Sequence, residues 1–162
     1  RTNRINKLYK NNKLSYEKAL FKSLSSLYGV DILEDNIEKC ILRLHNTCKK
    51  SYQNTFKDTI DLEFLRVLKL VLEKNIIQGD ALKFTNKNKK PLFFFEWVML
   101  RKGNVKIREF EFVEIADFDQ SRPTLFSKRE VNDLGESVFS PQPSYEYELI
   151  YFKKISPDFF NS

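Results

Sequence analysis

Residues 91–100 read PLFFFEWVML, and the reading of that stretch decides the fold. It is dense in large apolar side chains, far too short to span a membrane, and bounded by the polar turn NKNKK at 86–90 and by Gly103-Asn104. These are the marks of a β-strand. Both of its faces are apolar except at Glu96, which predicts a strand inside a sheet rather than at its edge. Working outward, the hydrophobic period is helical before Gly79 and strand-like after it. The chain is therefore predicted to be α+β, with a helical first half and an antiparallel sheet in the second.

Toward the N-terminus three amphipathic stripes appear. Leu20, Leu24, Leu27 and Tyr28 lie on one face from Leu14 onward, with Tyr16 a turn earlier and Gly29 placed to end the helix. Ile37, Cys40, Ile41, Leu44 and Cys48 form the second stripe, introduced by acids around Asp31 and Asp35 that suit a helix N-terminus. Phe64, Val67, Leu68, Val71 and Leu72 form the third, starting near Asp58 or Thr59. Residues 1–13 (RTNRINKLYKNNK) hold five basic side chains and no acid, and are expected to be a basic arm leading into the first helix.

Toward the C-terminus, Ala81–Thr85 reads as a short strand and Val105–Ile115 as a longer one. In the latter Val105 and Ile107 share one phase and Phe110 and Phe112 the other, so a β-bulge is expected near Arg108–Glu109. Residues 117–143 are irregular, with Pro123, Gly135, Pro141 and Pro143. They are expected to form a short helix near Ser127–Leu134 or to be mobile. Tyr145–Phe152 is the last predicted strand, with Tyr145, Tyr147, Leu149 and Tyr151 on one face.

Three helices followed by a hairpin with a charged tip is an order of elements that resembles the winged-helix class over residues 14–100. The resemblance implies that Val30–Leu33 gives a small first strand, and that Ala81–Thr85 and Leu92–Leu100 make the wing. The expected organisation is a basic arm at 1–13, a winged-helix-like half at 14–100 and a sheet extension at 101–162 containing the loop 117–143, together one compact domain.

Charge narrows the function classes. The 162 residues carry 28 Lys and Arg against 22 Asp and Glu. Residues 1–90 hold 19 basic and 10 acidic side chains, whereas residues 91–162 hold 9 and 12. A cationic half can attract polyanions and an acidic half repels them. Two cysteines, Cys40 and Cys48, cannot make a disulfide framework, which points to a reducing intracellular compartment, nucleus or cytoplasm. The first residue is Arg1 rather than Met, so the chain is expected to be part of a larger protein.

Catalytic chemistry finds little footing. Cys40, His45 and Cys48 give C-x4-H-x2-C, but a structural zinc needs four ligands and there is no other Cys or His. On a helical stripe these residues are expected to pack as core. No acid is followed by lysine two positions on, which removes the restriction-type nuclease pattern. Asp117-Phe118-Asp119 could present two carboxylates to a divalent cation, yet is expected to be a solvated turn. With one His, nucleophilic catalysis would have to use His45. Four scattered glycines cannot build a phosphate-binding loop. Neither metal nor cofactor is expected.

The chain is thus expected to be a non-catalytic interaction domain of a larger intracellular protein in a nucleoprotein or chromosome-associated assembly. An alternative is direct, largely non-specific DNA or RNA binding through Lys87, Lys89, Lys90, Lys49, Lys50, Arg1 and Arg4. A second alternative is a small metal-dependent enzyme using Asp117 and Asp119. A protein partner would be met by Trp97, Tyr145, Tyr147 and Tyr151, since such aromatics combine area with a polar handle. The third helix mixes signs at Asp61, Glu63, Arg66, Lys69, Glu73 and Lys74, a poor face for a phosphate-lined groove. Ser140-Pro141 is a dipeptide that proline-directed phosphorylation could use.

Overall fold

The computed structural model describes residues 2–57, 60–113, 129–131, 137–139 and 142–161. Mixed α+β architecture is what the two hydrophobic periods predict, and the chain has it: among the described residues, four helices and a four-stranded antiparallel sheet.

The helices are α1 (Thr2–Tyr9), α2 (Lys13–Ser25), α3 (Glu34–Phe56) and α4 (Leu62–Asn75). Asn12 opens α2 by accepting the Ser15 amide at 2.9 Å, and Asp61 opens α4 by accepting that of Phe64 at 3.0 Å. α3 has no such cap of its own. The Asp31 carboxylate accepts the Leu33 amide at 2.8 Å instead, and Glu34 and Asp35 place negative charge at the helix's first turn. Residues 1–13 differ from expectation: instead of an arm, residues 2–9 are a helix whose Ile5 is buried in the core. Gly29 also differs, because α2 ends at Ser25 and Gly29 begins a strand.

That strand, β1 (Gly29–Asp31), pairs in parallel with β2 (Ile76–Gln78). The main sheet is built from β3 (Phe93–Met99), β4 (Asn104–Glu111), β7 (Tyr145–Glu146) and β8 (Ile150–Tyr151). β5 (Arg129–Val131) and β6 (Ser137–Phe139) form a separate antiparallel pair. Ala81–Thr85 is a turn rather than a strand, closed by isolated bridges of Thr85 to Asp80 and to Pro91. Of Ser127–Leu134, residues 129–131 are extended as β5; the rest of that stretch lies outside the described residues, as does the centre of 117–143.

Among the described residues β3 pairs with β4 alone, so PLFFFEWVML supplies an edge strand and not an interior one. Its apolar character on two faces has another cause. Phe95 and Trp97 face the helices, while Phe94 on the other side meets Phe112 and Tyr28 edge-on at 4.8 and 5.4 Å between ring centres. The Tyr28 hydroxyl donates to the Phe95 carbonyl at 2.7 Å, satisfying one backbone group of the open edge. The β3–β4 register runs unbroken from Phe93↔Glu111 to Met99↔Val105, so no bulge lies at Arg108–Glu109. Phe110 simply takes the face opposite Ile107, across from Phe94.

The bulge lies on the partner strand. Glu109↔Tyr145 and Arg108↔Glu146 give one register, and Val105↔Ile150 and Asn104↔Tyr151 give another, shifted by one residue. The Tyr147 amide still donates to the Ile107 carbonyl at 3.0 Å, so Glu148 and Leu149 together stand opposite Lys106. This splits the predicted strand 145–152 into β7 and β8 and breaks the expected row of tyrosines.

The core lies between α2, α4 and the sheet, where Phe21, Leu20, Phe64, Leu68, Leu72, Ile107 and Phe152 are fully buried. Each such side chain contributes about 1.5–3 kcal/mol through removal from water. Two polar devices cross this core. Trp97 Nε1–H donates to Asn75 Oδ1 at 2.9 Å, and Asn75 Nδ2 in turn donates to the Ser25 carbonyl at 3.2 Å. Glu17, only 1% exposed, accepts from the Tyr52 hydroxyl and from Lys153 Nζ at 2.5 Å. At Gly79 a Cβ would lie 2.7 Å from Leu92 Cδ2 and 3.1 Å from the Thr85 carbonyl oxygen, so a larger residue there would force the buried Leu92 side chain to shift.

Candidate nucleic-acid interface

The longest helix is also the least covered. Of the 23 residues of α3 only Cys48 and Tyr52 are buried, both on the side that meets the core. Helical geometry places residues three or four apart on one face. Arg43, Asn46, Lys50, Asn54 and Lys57 therefore follow one another along the outward side, and all are exposed. No Asp or Glu occurs from Lys39 to Lys57, nor from Arg1 to Tyr16. The fold brings these two acid-free stretches together. α1 lies against α3, where Ser51 Oγ donates to Asn6 Oδ1 at 3.0 Å, and the Tyr16 hydroxyl donates to the same oxygen at 2.9 Å. Arg4, Lys7 and Lys10, all exposed, extend the cationic surface of α3 sideways.

Ion pairing separates this face from the others. Among the described residues Arg4, Lys7, Lys10, Arg43, Lys49, Lys50 and Lys57 have no carboxylate within 4.0 Å; Lys39 is paired with Asp35 at 2.6 Å. On α4 the exposed charges neutralise each other, Arg66 with Glu63 and Lys69 with Glu73 at 3.2 Å. Lys74 there leans over the Phe160 and Phe95 rings at 4.2 and 5.0 Å, and burial holds its ammonium below the usual lysine range.

The residues singled out from sequence fall into separate places. Lys49 and Lys50 lie on α3 and Arg4 on α1, within the cationic surface; Arg1 is outside the described residues. Lys87, Lys89 and Lys90 lie in a turn organised by Asn86, whose Oδ1 accepts the amides of Asn88 and Lys90 at 2.9 and 3.1 Å. Lys87 Nζ stands 4.0 Å from Glu34 at the opening of α3. Lys49 is fifteen residues further along that helix, about 23 Å at 1.5 Å per residue. The two lysine groups consequently do not form one site.

The aromatic residues are divided too. Trp97 is 8% exposed and packs against Phe21 and Phe160, so it offers no surface to a partner. Tyr147 lies among Phe95, Phe159 and Phe160 and donates to Glu109 Oε2 at 3.1 Å. Burial first, then the Glu109 charge, pushes its hydroxyl up to about 12. Tyr145 is half exposed, and Tyr151 lies across the bulge against Phe152. Asp117 and Asp119 lie outside the described residues, as do Ser140 and Pro141.

Cys48 is buried and desolvation pushes its thiol up to about 11, whereas Cys40 is exposed and leaves the stripe assigned to it. His45 Nε2–H donates to the Leu65 carbonyl at 3.0 Å. Among the described residues no three His, Cys, Asp or Glu side chains gather as a metal site. An open cleft of about 590 Å³ lies beside β1 and β2, edged by Ile32, Leu33 and Leu82. Its carboxylates are engaged locally, Asp31 with α3 and Asp80 with the amides of Leu82 and Lys83. No described helix is long and apolar enough to cross a membrane.

What sequence reading missed is the outward stripe itself, Arg43 and Asn46 above all. The signal was present as a nineteen-residue run without acid, but only the packing of α1 beside it makes a surface. Comparison with protein-family models, with curated proteins and with solved structures finds no match for this chain.

Proposed function

We propose that the chain is an interaction domain of a nucleoprotein assembly that works by attachment and contacts the nucleic-acid backbone through α1 and α3. One observation carries this reading: two stretches free of carboxylates pack side by side and expose in rows Arg4, Lys7, Lys10, Arg43, Lys49, Lys50 and Lys57, none of which has a carboxylate within 4.0 Å among the described residues. Such a face neutralises phosphates and releases their counterions, giving affinity that falls steeply with salt. The winged-helix likeness enters as an order of elements, α2, α3 and α4 followed by the Asn86–Lys90 turn, which would serve as a second, distant phosphate contact. A protein partner would meet the remaining surface, where Tyr145 is the exposed member of the tyrosine group.

The test is fluorescence anisotropy of a labelled 25-base-pair duplex at roughly 50 and 200 mM salt, where several phosphate contacts change affinity by orders of magnitude. Arg43→Glu with Lys50→Glu is expected to abolish binding, and Lys87→Glu with Lys89→Glu to weaken it only a few-fold. Retention of full affinity by the α3 variant, or no binding by the parent at low salt, overturns the reading.

A further inference from the structure

We infer that α3 is a groove-reading helix for double-stranded DNA, an inference that rests on the nucleic-acid reading above and goes further in naming both the form of nucleic acid and the residues that read it. Phosphate attachment needs only charge, but the outward side of α3 holds more. Between Arg43, Lys50 and Lys57 stand Asn46, Gln53 and Asn54, all exposed, whose side-chain amides make no hydrogen bond among the described residues. Asn and Gln present a donor and an acceptor side by side, matching the N6 and N7 edge of adenine in the major groove, while Arg and Lys match guanine O6 and N7. Thr47 is not part of this set, because its hydroxyl donates to the Arg43 carbonyl at 2.7 Å.

Shape agrees with chemistry. A helix with its side chains is about 10–12 Å across and the major groove of B-DNA is about 12 Å wide. The acid-free run 39–57 is about 28 Å long at 1.5 Å per residue, within one turn of B-DNA. The acids of α3, Glu34, Asp35 and Glu38, are confined to its first turns. α1, lying alongside, brings Arg4 and Lys7 to where a flanking phosphate strand would pass. The same stripe carries no aromatic side chain, which single strands use for stacking. The major groove of A-form RNA is too narrow to admit a helix, so B-form DNA is the fitting duplex.

The experiment is selection from a pool of duplex DNA with a randomised central segment, alongside direct binding to duplex DNA, single-stranded DNA and duplex RNA. The parent is expected to enrich a short motif and to prefer duplex DNA at least ten-fold over the other two. Asn46→Ala with Asn54→Ala is expected to keep affinity for arbitrary duplex within about two-fold while losing the enrichment. Both positions are exposed on a helix that alanine favours, and Trp97 fluorescence reports whether the variant is folded. Salt-sensitive binding without enrichment, equal affinity for the three nucleic acids, or enrichment unchanged in the double variant overturns the groove reading and leaves backbone attachment standing. No binding by the parent to any of the three overturns both.

Discussion

The Lys153 ammonium lies 2.8 Å from the Asp61 carboxylate, which comes from a position 92 residues earlier in the chain. Asp61 caps α4 with its other oxygen, and Lys153 also holds the buried Glu17 of α2. One cation thus ties the segment after the sheet to the start of one helix and the middle of another.

Replacing Lys153 by Met is therefore expected to cost about 3 kcal/mol, because it leaves the buried Glu17 carboxylate with only the more distant Lys13, at 4.0 Å, as a cation. Glu17→Gln in the same background should restore part of that loss. Urea midpoints of the parent, the single and the double variant measure both; an unchanged midpoint in Lys153→Met would show that water screens the pair.

The acid limb of stability should depend on Asp61. Burial opposes its ionisation, but hydrogen bonds from Lys153 and the Phe64 amide, with the charges of Lys153 and Lys13, hold it below its ordinary 3.8. A lowered folded value means that the contribution is present above the unfolded value, about 3.9, and lost as pH falls through the folded one. Asp61→Asn keeps a capping oxygen without the titration, so its stability should fall less steeply between about pH 5 and 2 in urea titrations.

The alkaline limb should depend on Cys48. Burial raises its thiol from 9.0 to about 11 in the folded chain. The unfolded chain ionises first, so stability is whole below pH 9 and declines as pH rises through 11. Cys48→Ala is expected to be less stable at neutral pH, through lost packing, and flatter across that window. Equal slopes for parent and variant would contradict the assignment.

Asn75→Ala should cost about 2–3 kcal/mol, since it strands the Trp97 indole N–H and the Ser25 carbonyl inside the core. Trp97 is the only tryptophan. Its emission should be blue-shifted and resist acrylamide in the folded parent, and thermal unfolding followed by it should move to lower temperature in the variant.

The legible parts of the fold were those with a local period. Leu20 and Leu24, or Val67, Leu68, Val71 and Leu72, mark their buried faces within one element, and each lies where the spacing puts it. The edge position of β3 was not legible, because Tyr28 and Phe112, distant in sequence, cover the face that another layer was expected to cover. The alternation slip in β4 has the same character: a bulge and a second buried face leave identical patterns at Ile107 and Phe110. Trp97 and Tyr147 read equally well as surface or core until their neighbours are placed. Lys49 and Lys50 were legible as charge, whereas their joining with Arg4 and Lys7 depends on the Asn6–Ser51 contact between helices.

The extra residue opposite Lys106 makes the last part of the chain tolerant in length as well as in chemistry. Leu149 is 59% exposed, so a polar side chain there disturbs little. Deleting the same residue would leave Glu148 alone opposite Lys106 and keep Ile150 against Val105 and Tyr151 against Asn104, so the two short strands would merge into one regular register with Phe152 still inside. Descendants of this gene should accept many spellings at codon 149, and its loss as well.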